Sequence, residues 1–177
     1  LHCPYDFNKA KLIVREMADL LALDLVDKGL VTDQIVLTVG YDIENLNTAD
    51  KRKAYKGEVT TDYYGRKVPK HAHGTINLEQ KTSSTKDIVN AAMKLYDRIV
   101  NKDMFIRRAY IVANHVIDEK TVMKPAFEQL DLFTDYEEVK KQRATEEKER
   151  QDEKNVQKAI LDIKKKYGKN AIIKGMN

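Results

Sequence analysis

Seven cations, Lys51, Arg52, Lys53, Lys56, Arg66, Lys67 and Lys70, fall between Lys51 and His73, with only Glu58 and Asp62 to oppose them. Such a run, in a chain whose net charge is only +4, marks a surface that attracts phosphate groups. The chemistry on offer is binding rather than bond-making. His71 and His73 alternate and so point the same way from a strand, but no Cys, Asp or third His nearby completes a metal site. A polar contact or a surface role suits them better. Cys3, the single cysteine, has no catalytic partner; it excludes an internal disulfide, leans towards a reducing cytoplasm and reads as a small buried or half-buried thiol. There is no Gly-rich phosphate loop, no nucleophile–base constellation and no paired arrangement of carboxylates. No active site is visible.

A second kind of chemistry sits at Gln129, Leu130, Asp131, Leu132 and Phe133, read as QLDLF. It lies at the seam between a compact α/β pattern and a highly charged helical one. An exposed Leu-x-Leu-Phe run is costly unless something covers it. Either it folds back on its own domain or it is a docking peptide, with Leu132 and Phe133 as apolar anchors, Leu130 as a further apolar contact and Gln129 hydrogen-bonding at a pocket rim.

The elements that must position these residues follow from periodicity. Asp6 is a plausible N-cap for a helix whose apolar face is Ile13, Met17, Leu20, Leu21 and Leu25, closed by Lys28 and Gly29. Gln34 to Tyr41 alternates as a strand, with Ile35, Leu37, Val39 and Tyr41 on one face and small or hydroxylated residues on the other. Asp42 to Pro69 is a long polar loop, with part of a hairpin around Glu58 to Tyr64 and Gly65 at its turn. Gly74 to Gln80 alternates again, Ile76 and Leu78 inward. Ser84 to Asp87 resembles a capping box ahead of the stripe Ile88, Ala92, Tyr96 and Ile99. Phe105 to Val116 reads as the last strand, with Ala109, Ile111 and Ala113 to the core and Arg108, Tyr110 and Val112 outward.

With Leu1 and His2 ending an incoming strand, the order is β-α-β-β-α-β, an α+β fold: an antiparallel-rich four-stranded sheet with two helices on one face. The open face would carry Thr38, Thr75, Asn77, Arg108 and Tyr110 beside the basic loop, a surface suited to a nucleic-acid backbone. The expected division is 1–118 as a DNA-binding domain, 119–134 as a linker holding QLDLF, and 135–177 as a charged helical tail. In the tail Asp135 could cap and Gly168 could end a helix whose only clear apolar spacing is Val156, Ile160 and Ile163. Between Lys140 and Asn155 almost no apolar face exists, so that part is expected to project or be partly disordered.

Hydrophobic residues make up 42% of the 177, enough for a core, and charged residues 34%, which implies a long solvated segment. No apolar run approaches a membrane span and no signal peptide is visible, so no membrane role and a cytoplasmic location are expected. Beginning at Leu1 within ordered-looking sequence, the chain reads as a fragment of a longer protein.

At Arg66–Leu78, RKVPKHAHGTINL, and Ile106–Val116, IRRAYIVANHV, the sequence resembles the C-terminal little-finger domain of Y-family DNA polymerases, in particular the UmuC-like (ImpB/MucB/SamB) lesion-bypass enzymes of Gram-positive type. The final run, KAILDIKKKYGKNAIIKGMN, looks like the end of that subgroup, so the resemblance covers nearly the whole chain. It implies the β-α-β-β-α-β fold, a grip on template–primer DNA through phosphates, and a role in translesion synthesis and DNA repair. It places phosphate contacts at Arg66, Lys67, Lys70, His71, His73, Thr75, Arg107 and Arg108. Many relatives keep a further basic residue four positions after the second Arg, where this chain has Val112. The resemblance also implies a bacterial sliding clamp as the partner of Gln129 to Phe133, which match the clamp-binding pattern QL[S/D]LF at every position. Catalysis, by two-metal phosphoryl transfer with Mg2+, would belong to a palm domain that this sequence lacks; no cofactor is expected within these residues. The rival readings are a non-catalytic protein-interaction module, with a ferredoxin-like domain and a helical tail, and a small metal-dependent nuclease using His71 and His73.

Overall fold

The computed structural model describes residues 1–122 and 136–172. QLDLF and Asp135 therefore lie outside the described residues.

Helix α1 (Phe7–Lys28) starts where the Asp6 carboxylate accepts the Lys9 N–H at 2.8 Å and ends where Gly29 turns left-handed at φ 65°. Strand β1 (Leu30–Tyr41) follows at once and is the spine of the sheet. A 3-10 turn (Ile43–Leu46) and a short helix α2 (Ala49–Ala54), capped by Thr48, occupy the stretch expected to be loop. A hairpin of β2 (Val59–Thr61) and β3 (Lys67–Pro69) then turns through Gly65 at φ 77°. Strand β4 (Ala72–Thr82), helix α3 (Thr85–Ile99), β5 (Ile106–Asn114) and the two-residue β6 (Ile117–Asp118) complete the domain, and α4 (Tyr136–Tyr167) is the tail.

The main sheet runs β4-β1-β5, all antiparallel, and β6 pairs with the start of β1. The fold is therefore α+β with a four-stranded antiparallel sheet. The fourth strand is not the one the sequence suggested. The segment before α1 contributes one bridge, Tyr5 to Ile106, closed by two backbone hydrogen bonds of 2.9 and 2.8 Å, while β6 fills the fourth place.

Alternation puts Ile35, Leu37 and Val39 at 0% exposure beneath the helices. Gly74, opposite Leu37, lets α3 approach: a Cβ there would sit 2.8 Å from Ile99 Cγ2. Helix α3 buries Ile88, Ala92 and Tyr96 as its spacing predicts, together with Ala91 and Leu95. Helix α1 keeps only part of its expected face. Leu25 is buried and Leu21 packs against the core, but Ile13 and Met17 are only half-buried and Leu20 stays 47% exposed, while Ala10, Val14, Ala18 and Ala22 are buried in their place. Small residues allow the backbone of a long helix to lie close to α3 and the sheet, so size complementarity overrode bulk hydrophobicity. The capping box is half-formed: Ser84 Oγ accepts from Asp87 N, but Ser84 N donates to Thr82 Oγ1 instead, because an Asp side chain is a methylene shorter than the usual Glu.

The tail is helical to Tyr167 as expected, but the end of the stretch expected to project is docked. From Arg150 onward α4 lies on the helical side of the domain, held by polar groups. Arg150 reaches Gln80 at 2.9 Å. The Glu153 carboxylate accepts from Ser84 Oγ and Lys86 N, at 2.8 and 3.0 Å, and so caps the start of α3 from another helix. Lys154 pairs with Glu119, and Lys165 with Asp27. Gln157 is only 4% exposed and donates to Ser83 O and Thr85 Oγ1. Of the expected apolar spacing Val156, Ile160 and Ile163, Ile160 is half-buried in a groove it lines with Leu20 and Leu23 of α1, whereas Val156 and Ile163 point away at 58% and 37% exposure.

Candidate nucleic-acid interface

Among the described residues nothing covers the face of the sheet opposite the helices, and register orders it into rows. Asn77, Gln34 and Asn114 lie abreast, linked by amide hydrogen bonds of 2.9 and 3.0 Å. Thr75, Val36 and Val112 form the next row, then His73, Thr38 and Tyr110, then Gly40 beside Arg108. Thr38 Oγ1 and His73 Nδ1 share a hydrogen bond of 2.9 Å. These rows contain no carboxylate, and Arg108 is exposed with no ion-pair or hydrogen-bond partner among the described residues. All five residues expected on the open face are there.

Where Gly40 pairs with Arg108 but Tyr41 pairs with Ile106, Arg107 is left over as a bulge. The bulge re-aims the strand so that two consecutive arginines line one cleft, which strict alternation would forbid. Arg107 is partly engaged: it donates to His2 O at 3.2 Å and lies 3.8 Å from the Asp42 carboxylate.

That cleft, about 730 Å³, lies between the hairpin and the end of the sheet. The hairpin tip is built on Asp62. Its carboxylate accepts the Tyr64 and Arg66 N–H groups, each at 2.9 Å, and binds the Arg66 guanidinium at 2.7 and 2.8 Å. The Arg66 hydrogen bond holds the Asp62 carboxyl below the usual carboxylate range, and the same bond raises Arg66. Arg66 also stacks over Tyr64, 5.1 Å from the ring centre. Lys70 is paired as well, with Glu58 at 2.6 Å, and Lys67 donates to Thr61 Oγ1 at 2.8 Å.

The eight expected contact residues therefore divide. Arg108, His73 and Thr75 share the open face, and Arg107 and His71 line the cleft beside it. Arg66 and Lys70 spend their charge within the hairpin, and Lys67 gives a bond to a hydroxyl there. His71 and His73 have ring centres 6.4 Å apart, and no group of three metal-binding side chains occurs among the described residues. Helix α2 displays Lys51, Arg52 and Lys53 as exposed residues.

Sequence reasoning missed Tyr63 and Tyr64, 93% and 69% exposed at the hairpin tip. Adjacent aromatics beside the recognised Gly65 turn were the available signal. It also missed a cluster at the far end of β1, where Asp33 binds Lys81 at 3.0 Å and His115 at 2.8 Å. Lys81 first, then His115, holds the Asp33 carboxyl below its ordinary value. His115 sits at φ 51°, in the interruption between β5 and β6.

No curated protein matches the chain. Residues 3–132 match the C-terminal domain of the impB/mucB/samB family, which spans the sheet domain and stops short of α4. With an α+β fold of antiparallel sheet and packed helices, and with a match over most of its length, the chain belongs to the impB/mucB/samB family, as the C-terminal region of a UmuC-like Y-family DNA polymerase of DNA damage tolerance.

Proposed function

We propose that residues 1–118 grip template–primer DNA by its phosphates across the open sheet face. The observation that carries this reading is a run of four rows without a carboxylate, ending on an unpaired Arg108. Backbone contacts fix position without reading sequence, which suits a polymerase that must tolerate damaged template. Arg107, His73, Thr75 and Thr38 supply further donors. Lys67 and the cations of α2 add attraction at the margin, and Arg66 and Lys70 act chiefly by shaping the hairpin.

In the same proposal residues 119–134 tether the domain to a bacterial sliding clamp through Gln129 to Phe133. Tethering raises the effective concentration of a weak, sequence-blind grip at the primer end. The polymerase reaction, with its Mg2+ ions, is assigned to a palm domain outside this sequence, and the location to the cytoplasm. No helix among the described residues is long and apolar enough to cross a membrane.

Two measurements test the reading. DNA affinity should fall steeply with salt and be nearly indifferent to sequence, and Arg108→Ala should weaken it. A complex insensitive to salt, or one selective for sequence, overturns the grip. Replacing Leu132 and Phe133 by Ala should abolish capture of the clamp, and retained capture overturns the tether.

A further inference from the structure

The cleft beneath the hairpin differs in character from the open face beside it. Its lining cations Arg66, Arg107 and Arg108 are equalled in number by Asp42, Glu44 and Asp62, although Arg108 itself is unpaired among the described residues, so the cleft as a whole carries little net charge to draw a polyanion. What it offers instead is aromatic surface. Tyr63, Tyr64 and Tyr110 line it at 93%, 69% and 57% exposure. Tyr63 and Tyr64 sit edge to face, ring centres 5.4 Å apart, on a tip fixed by four hydrogen bonds and ion-pair contacts to one Asp62 carboxylate. The rings are thus held ready, which reduces the ordering cost of binding. The floor between Thr38 and Arg108 is flat because Gly40 has no side chain; a Cβ there would stand 3.4 Å from Arg108 Cβ.

Flat, sequence-tolerant aromatic surface recognises the π-face of a nucleobase, and a duplex hides those faces in its own stack. Arg108 lies two residues before Tyr110 on the same side of β5, the spacing that places a phosphate donor next to a stacking ring. We propose that this cleft takes the unpaired bases of single-stranded DNA where the strand leaves the duplex held on the open face, with Tyr64 and Tyr110 as the stacking walls and Arg108 bonding the adjoining phosphate. The inference rests on the DNA grip proposed above and adds a strand-state preference to it.

The experiment compares a blunt duplex with the same duplex carrying a short single-stranded 5′ extension that contains 2-aminopurine. Binding is followed by anisotropy of a label at the duplex end. The extension should strengthen binding, and 2-aminopurine should be quenched on complex formation. Tyr64→Ala, at the hairpin tip, should weaken the extended substrate about tenfold, the scale of one lost base–aromatic stack, while blunt-duplex affinity stays within about twofold, and Tyr110→Ala should weaken the extended substrate several-fold more than the blunt duplex. The Tyr→Phe variants should retain binding. Both positions changed are exposed ring sites, so thermal melting of all four variants should match the parent chain. An extension that adds no affinity, or Ala variants that weaken both substrates alike or neither, overturns the single-strand site and leaves the duplex grip standing. Failure of the parent chain to bind the blunt duplex while it still binds the extension overturns the grip and leaves the site; failure to bind either overturns both.

Discussion

The two sides of this domain differ in what they leave unpaired, although the open face too links Gln34 to Asn77 and Asn114, and Thr38 to His73. On the helical side α4 is docked by side chains whose partners are other parts of the same chain: Gln157 on Ser83 and Thr85, Glu153 on the start of α3, Lys154 on Glu119. On the open side of the sheet Arg108 has no such partner among the described residues, and Thr75 and Tyr110 stand exposed beside it. Groups satisfied internally hold a shape. Groups left unsatisfied on a rigid sheet are available to a ligand. The basic hairpin falls between these cases, since two of its cations are already matched by carboxylates.

The contrast is sharpest along a single strand. Leu37→Ala, on the buried side of β1, should lower unfolding stability by about 2–5 kcal/mol in a denaturant titration. Thr38→Ala, its neighbour on the open side, should change it by under about 1 kcal/mol. Equal losses would mean that the open face is covered in solution. Next in size, Gln157→Ala should weaken α4 docking by about 1–3 kcal/mol, read as faster hydrogen exchange over 150–167 with DNA affinity unchanged. A fall in DNA affinity would join the two sides functionally. Arg108→Ala should cost about tenfold in DNA affinity and reduce the salt slope by about one, whereas Arg66→Ala should change both far less. The reverse order would show that paired cations release their partners for DNA.

The smallest effect concerns pH. Asp33 has a folded pKa below its unfolded value, so its contribution is fully present above the unfolded carboxylate pKa of about 3.9. That contribution disappears as pH falls through the lowered folded value. Its size should be under about 1 kcal/mol, as for other solvent-accessible pairs, and Asp33→Asn should erase it from the acid limb of the stability–pH profile.

Much of the architecture was legible because it is written in local periodicity. Asp6 and Gly29 delimit α1, strict alternation marks β1, and Gly65 turns the hairpin. The open-face residues were legible for the same reason: once a strand's buried side is known, the other side is known too. What escaped depends on partners distant in sequence or on size. Lys70 meets Glu58 only through hairpin register, and charge counting treats both it and Arg108 as free. The bulge at Arg107 needs the pairing of β1 with β5 to be known. The alanine face of α1 is invisible to a search for large apolar residues. The docking of α4 leans on polar side chains such as Gln157, which hydrophobic spacing does not flag; of the expected apolar residues Ile160 is half-buried beside Leu20 and Leu23, while Val156 and Ile163 face out. The Thr48 cap of α2 was readable and was passed over within a stretch dominated by charge.

Among the described side chains of α4, contacts with the rest of the domain run from Arg150 on Gln80 to Lys165 on Asp27, about 22 Å of axis at 1.5 Å per residue. Mechanically this is a seam of separate fasteners. A pull away from the domain at one end of the seam loads Arg150, Glu153 and Lys154, Gln157 and Lys165 one after another, whereas a pull along the helix axis loads them together. Contacts loaded one at a time part at far lower force than the same contacts sheared together, so the seam resists sliding better than peeling.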